Sequence, residues 1–348
     1  MKVFSWIMGL CLFTIFPAWA QAQAKLPEAD TVKALLQAHH VPAVGIGIIR
    51  DGQVSETRVY GRLAANELAP PDALFNVASL TKPVVTMLTL KLVNEGQWSL
   101  DEPLARYWTD PDVQHDPNAK KLTTRHVLSH QTGFLNWRWL HATKKLTFDA
   151  PPGTKYGYSG EGFEYLRKAL EKKFGTGLDR LADSLIFTPL KMEDSRLRWD
   201  ANVDEARFAK WHDQEGRNSY ETYRSQTPNA ADDLLTTVAD YTRFGAAVVN
   251  GFGLAPALFR EMVTPASPLA KNSSMTLGWE HFGGLSNGEY AILHTGSDKG
   301  VKTLVLLFPK SKSGLVVLTN GDNGFLLYEK LITSALGPLG MEFWKKAQ

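Results

Sequence analysis

The spacing of apolar residues divides the chain into a mixed opening, a long helical middle and a strand-rich close. Leu26 to His40 reads as a helix, and Val44–Arg50 and Val54–Tyr60, joined by Asp51-Gly52, read as a hairpin. From Ser79 to Asn94 the apolar positions Val84, Val85, Leu88 and Leu92 recur at helical spacing, and Gly96 marks a stop. Helical patterns broken by Pro and Gly dominate to about residue 270, among them 161–174, 178–185 and 237–250. Tyr290–His294, Val301–Phe308 and Leu315–Thr319 then read as strands, and 325–336 as a closing helix.

Strands therefore sit at both ends of the sequence. Because their edges need partners, the simplest arrangement joins the two ends in one antiparallel sheet flanked by the first and last helices. The fold class expected is α/β plus α, with an inserted, mostly helical domain. The expected boundaries are 25–80 and 275–348 for the sheet domain and 81–274 for the helical one. A cleft between them is the natural place for a site.

The first 24 residues stand apart. Lys2, an apolar run from Val3 to Phe16, Pro17 and the small-residue steps around Ala18, Ala20, Ala22 and Ala24 read as a secretory signal peptide cleaved near 20–24. A membrane anchor is the rival, but the run falls short of the ~20 residues a span requires. Cys11, the single cysteine, lies in this leader, so the mature chain would hold no disulfide and no thiolate-bound metal. A periplasmic or secreted location is the expectation. With 38 Lys and Arg against 36 Asp and Glu, no basic stripe or acidic tail points to nucleic acid or a membrane surface. A small-molecule or peptide substrate is the better expectation, with the oligomeric state left open.

One tetrad carries candidate chemistry. Ser79-Leu80-Thr81-Lys82 opens the helix ending at Gly96, and residues three apart share a helix face, so the lysine amine can reach the serine hydroxyl. A serine hydroxyl becomes a nucleophile once a base takes its proton, and burial favours the neutral amine that can do so. Pro83 falls in the first turn, where backbone N–H groups are unpaired and proline is tolerated.

The surroundings of the tetrad extend this. Phe75-Asn76-Val77-Ala78-Ser79-Leu80-Thr81-Lys82 resembles the first motif of the class C β-lactamase and penicillin-binding family. Thr124 to Gly133, containing His126, Ser129 and His130, is similar to that family's Leu-Leu-x-His-x-Ser-Gly region. Pro152 to Gly160, with Tyr158 before Ser159, resembles its Tyr-x-Asn motif, and His294-Thr295-Gly296 its Lys/His-Thr/Ser-Gly motif. The resemblance implies a β-lactamase/transpeptidase-like fold, attack by Ser79, proton transfer through Lys82 and Tyr158, and an oxyanion hole from the backbone N–H groups of Ser79 and Ser297. It also places His294, Thr295 and Gly296 against the substrate, with His294 either protonated on a carboxylate or hydrogen-bonding it as a neutral ring. Tyr156 is a rival for the role of Tyr158. Gly160 stands where many members have Asn, and His294 where class C enzymes have Lys. Both departures bear on substrate choice.

Other patterns are read as structural. Gly284-Leu285-Ser286-Asn287-Gly288 fits a nucleophile elbow, but lies between strand-like segments, with no Ser, acid, His order after it. His126 and His130 are spaced to ligate zinc from one helix face but lack a third ligand nearby. Arg167 to Lys173 reads as a solvated helix face, and Trp137 and Trp139 as loop packing beside the cleft. The resulting expectation is an exported serine hydrolase acting on a β-lactam or D-alanyl amide through an acyl-enzyme at Ser79, with no cofactor and no metal. A carboxylesterase of the same fold and a non-catalytic penicillin-binding or sensor protein are the alternatives.

Overall fold

A computed structural model of the chain describes residues 25–64 and 67–348. The leader read at 1–24, with Cys11, lies outside the described residues. The strands, in chain order, are β1 (Ala43–Arg50), β2 (Gln53–Ala64), β3 (Glu67–Leu68), β4 (Phe75–Asn76), β5 (Leu235–Thr236), β6 (Ser267–Ala270), β7 (Ser273–Met275), β8 (Glu280–Phe282), β9 (Ala291–Asp298), β10 (Val301–Phe308) and β11 (Ser313–Thr319). The helices are α1 (Ala29–Ala38), α2 (Thr81–Asn94), α3 (Thr124–Leu128), α4 (Gly160–Phe174), α5 (Leu178–Ala182), α6 (Thr188–Leu190), α7 (Val238–Val249), α8 (Pro256–Val263) and α9 (Tyr328–Ala347).

The expected antiparallel sheet flanked by helices is present. It has nine strands in the order β3-β2-β1-β11-β10-β9-β8-β7-β6, and the β1–β11 pairing, from Val44 opposite Thr319 to Ile49 opposite Gly314, joins the two ends of the chain. Along β11 the side chains alternate between two cores. Leu315 and Val317 pack with α1 and α9, while Val316 and Leu318 pack with α2 and α7. A strand covered on both faces reads as a continuous apolar run, which is why Leu315–Leu318 shows no polar alternation. β1 instead alternates Gly45 and Gly47 with Val44, Ile46 and Ile48. A Cβ on Gly47 would stand 1.8 Å from Thr242 Oγ1, so the glycine face lets α7 lie directly on the strand.

The sheet takes more of the chain than the 25–80 and 275–348 ranges. β6 and β7 extend it, and α7 packs on it, although β6 and α7 fall within 81–274 and β7 straddles its end. These two strands are short, with too few alternations to stand out in the sequence. α9 also runs beyond the expected stop at 336, because Gly337 at φ 56 and Pro338 kink the helix instead of ending it.

Candidate active site

Ser79 sits in a 3-10 turn, Ala78–Leu80, that leads directly into α2. The expected single helix from Ser79 is thus a tight turn followed by an α-helix from Thr81. Ala78, before the serine, has φ 48, a left-handed conformation that an L residue adopts only when its surroundings impose it. Those surroundings are visible. Asn76 Oδ1 accepts from Ala78 N–H at 2.8 Å, and Thr81 Oγ1 donates to Ala78 O at 2.7 Å. Thr303 Oγ1 on β10 donates to Val77 O at 2.8 Å.

Lys82, one turn on, is 1% exposed. Its Nζ lies 3.0 Å from Ser79 Oγ and 2.8 Å from the carbonyl oxygen of Ala231. A neutral amine in this position can donate to Ala231 O and accept the Ser79 proton through its lone pair. α2 is buried around most of its circumference, with Thr81, Lys82, Thr86 and Thr89 inside as well as its apolar residues. A helix enclosed in this way holds its side chains in fixed rotamers.

Tyr158 precedes Ser159, the N-cap of α4, whose Oγ accepts from Gly162 N–H at 3.1 Å. Its ring centroid is 4.8 Å from Lys82 Nζ, and Phe163 closes the other side at 5.8 Å. His130 braces this tyrosine from behind. Their ring centroids are 4.3 Å apart, His130 Nδ1 accepts from Ser159 N–H at 3.1 Å, and His130 O accepts from Gly157 N–H at 2.8 Å. Burial, reinforced by Lys82 and His294, holds the His130 pKa well below the usual histidine value, so the ring is a neutral strut. Tyr156 also lines the cleft, and burial raises its phenol pKa.

β9 forms the opposite wall. β8 pairs with β9 only along Ala291–Leu293, so the edge from His294 to Asp298 has no strand partner there and faces the cleft. Gly296 lets this edge approach the serine turn, since a Cβ would stand 2.3 Å from Val77 O and 2.2 Å from Thr303 Oγ1. Thr295 and Ser297 are exposed along the cavity, while His294 is buried with Nδ1 2.8 Å from Thr295 O. Burial first, and Lys82 second, push the His294 pKa down to about 3. Of the two roles left open for His294, the neutral ring is the one its environment favours.

The cavity so enclosed measures about 350 Å³ and brings together Ser79, Lys82, Tyr158, His294, Thr295 and Ser297. Gly296 contributes backbone and close approach beneath it. Four polar lining residues escaped the sequence reading: Asn136, Asp232, Glu280 and Asp298. Asn136 Oδ1 accepts from Gly160 N–H at 2.8 Å, and among the described residues its amide nitrogen has no partner. No side chain fits at Gly160, where a Cβ would lie 2.6 Å from the Trp137 ring, so Asn136 supplies the amide on this side of the cleft. Burial, then repulsion from Asp298 and Asp233, raises the Asp232 pKa to about 8, and Asp233 rises to about 6. Only the adjacent acids Asp232-Asp233 could have flagged this feature in the sequence.

The remaining patterns stay outside the site. Ser286 lies in a 3-10 turn between β8 and β9, with its Oγ 2.9 Å from Glu342. His126 closes a capping box with Thr123 at the start of α3. Among the described residues no group of three His, Cys, Asp or Glu could hold a metal ion, and no helix is long and apolar enough to cross a membrane.

Residues 29–333 match the family model described as Beta-lactamase. The chain belongs to the beta-lactamase family. Among its relatives, "Penicillin-binding protein 4" of Amycolatopsis lactamdurans is 26% identical over 341 residues, covering 88% of each chain. "Esterase EstB" of Burkholderia gladioli is 28% identical over 232 residues, 58% of this chain and 57% of that one. "Protein flp" of Staphylococcus aureus is longer, and the match at 22% identity spans 62% of it and 84% of this chain. Among solved structures, the D-alanine carboxypeptidase AmpC of Burkholderia cenocepacia superposes with a TM-score of 0.73 at 22% identity, over 89% of this chain and 97% of that one. The octameric penicillin-binding protein homologue of Pyrococcus abyssi gives 0.72 at 20% identity, over 90% and 78%. At these identities the superpositions establish a shared fold.

Proposed function

We propose that this beta-lactamase-family chain is a serine hydrolase that forms an acyl-enzyme at Ser79 and releases it with water, outside the cytoplasm. The observation that carries the reading is the buried Lys82 Nζ, 3.0 Å from Ser79 Oγ, at the foot of a cleft walled by the open edge of β9. As Oγ attacks the carbonyl carbon, the Ser79 proton passes to Lys82, whose amine accepts it in its free-base form. Backbone N–H groups of Ser79 and Ser297 receive the developing oxyanion, an arrangement that commonly supplies the largest single contribution to such a rate. Tyr158, packed against Lys82, passes the proton on to the leaving group. Water then attacks the acyl carbonyl along the reverse proton path, returning Ser79. Asn136 and the β9 edge hold the substrate on either side of the scissile bond.

The substrate best suited to this cleft is an ester or amide without a carboxylate beside the scissile bond. Lys82 is the one lysine or arginine among the described lining residues and is engaged with Ser79 and Ala231 O, His294 is neutral, and Asp232, Asp298 and Glu280 also line the cavity. A carboxylate there would meet like charge. A β-lactam or D-alanyl amide is the second reading, favoured by the match to Penicillin-binding protein 4 over 88% of both chains.

Purified protein is mixed with a fluorescent penicillin and, separately, with p-nitrophenyl butyrate, and adduct and product are followed by intact mass and absorbance. Ester turnover with little penicillin adduct is expected, with Ser79→Ala losing about 10⁶-fold in kcat. Rapid penicillin release would support the β-lactamase alternative, and a stable adduct a penicillin-binding one. Unchanged turnover in Ser79→Ala overturns the mechanism.

A further inference from the structure

We infer that the cavity adjoining the nucleophile is a subsite for an ammonium group carried by the substrate several bonds from its scissile carbonyl. This rests on the serine hydrolase reading and names the substrate class for the same site. The second cavity measures about 760 Å³ and shares Trp137, Asp232 and Asp298 with the first. A substrate acylating Ser79 could therefore extend from one space into the other.

The charges lining this second cavity do not balance. Arg138 is committed to Asp110 at 2.9 Å and Glu161 at 2.8 Å, and Arg167 to Glu164 at 2.6 Å and Glu171 at 3.0 Å. Asp232, Asp233 and Asp298 remain, with Lys168 the other lining cation and no ion pair to any of the three among the described residues. Asp233 is held by neutral Asn76 and Asn229. Asp232 lines both cavities. Its Oδ1 accepts from Asp233 N–H at 2.9 Å, and its second carboxylate oxygen has no partner among the described residues. Burial and the neighbouring acids hold Asp232 back from ionising more than Lys82 favours it, and a ligand cation would relieve that.

Aromatic faces supply an independent indication. Trp137 and Trp139 stack with ring centroids 4.8 Å apart at an interplanar angle of 9°. Trp139 is 55% exposed and Tyr223 67% exposed, and both line the cavity. Large aromatic surfaces left open to water beside unpaired carboxylates suit an alkylammonium chain, whose methylenes lie on the rings while its head meets the ring faces and the acids. The same lining opposes a substrate with an anionic tail.

The test compares p-nitrophenyl 6-aminohexanoate with its neutral isostere p-nitrophenyl heptanoate. The amine ester is expected to have the higher kcat/KM, by about tenfold, and Asp298→Asn or Asp232→Asn to bring the ratio of the two esters towards one. Asp298 is exposed at the end of β9, so its variant should fold even if the Asp232 one does not. In parallel, Ser79→Ala protein is titrated with 6-aminohexanamide and heptanamide, reading tryptophan fluorescence. Preferential amine binding, weakened by adding Asp298→Asn, is expected whether or not either ester turns over. Amine binding without turnover would overturn the hydrolase reading and keep the subsite. Turnover of both esters at a ratio unmoved by either variant would overturn the subsite and keep the hydrolase.

Discussion

Gly296→Ala tests the geometry of the proposed oxyanion hole without removing any group that reacts. The new methyl would stand 2.3 Å from Val77 O, 2.2 Å from Thr303 Oγ1 and 3.3 Å from Ala78 Cβ, against ordinary contacts that begin at 3.4 Å. Thr303 cannot simply rotate away, because its Oγ1 donates to that same Val77 carbonyl at 2.8 Å. The β9 edge and the serine turn must therefore separate by about 1 Å, carrying Ser297 N–H away from Ser79. A displacement of that size at a reacting centre costs about 10²-fold, and loss of one oxyanion donor about 10²–10³-fold in kcat. The overpacking itself should destabilise the protein by about 1–3 kcal/mol. The assay is kcat for p-nitrophenyl butyrate, with circular dichroism and a thermal melt to establish that the variant is folded. A folded Gly296→Ala protein with kcat within threefold of wild type would refute the assignment of this edge to the oxyanion hole.

The remaining predictions concern proton transfer and buried charge. Tyr158→Phe should lower kcat by about 10²-fold or more, the size of a lost acid-base group, whereas Tyr156→Phe should act mainly on KM; the opposite order would reassign the tyrosine role. Asp232→Asn should stabilise the protein in alkaline solution. Because the folded-state pKa is raised to about 8, the folded chain holds a proton that the unfolded chain releases near pH 4, so wild-type stability falls as pH rises between those values and is level outside them. The variant should melt with wild type at pH 4 and several degrees higher at pH 9, with a ceiling of about 6 kcal/mol at 1.36 kcal/mol per pKa unit. Equal melting temperatures at pH 9 would show that Asp232 carries no such penalty.

Much of the site was legible because its parts are local. Ser79 and Lys82 are three residues apart at the start of one helix, a spacing that backbone geometry alone turns into contact, although the turn holding Ser79 is 3-10 rather than α-helical. The hairpin of β1 and β2 and the strands β10 and β11 were likewise readable from turn residues and apolar runs. Tyr158 and Ser159 follow the same logic, since a serine before a helical pattern is an N-cap signal. β6 and β7 were not legible, because strands of three or four residues carry too little alternation to show a period.

The sequence by itself determined the order of the motifs, the local pairing of nucleophile and amine, and the glycine at 296 where backbone must meet backbone. Tertiary structure alone decided which environment each group occupies. His294 is neutral because distant segments bury it beside Lys82, and Asp232 resists ionisation because the fold buries it and β9 brings Asp298 towards it. Asn136 takes the amide position because the Trp137 ring fills the space over Gly160. Periodicity is a property of neighbouring residues and survives in the bare sequence. Burial and electrostatic field are sums over residues far apart in the chain, and they take definite values only once the chain has folded.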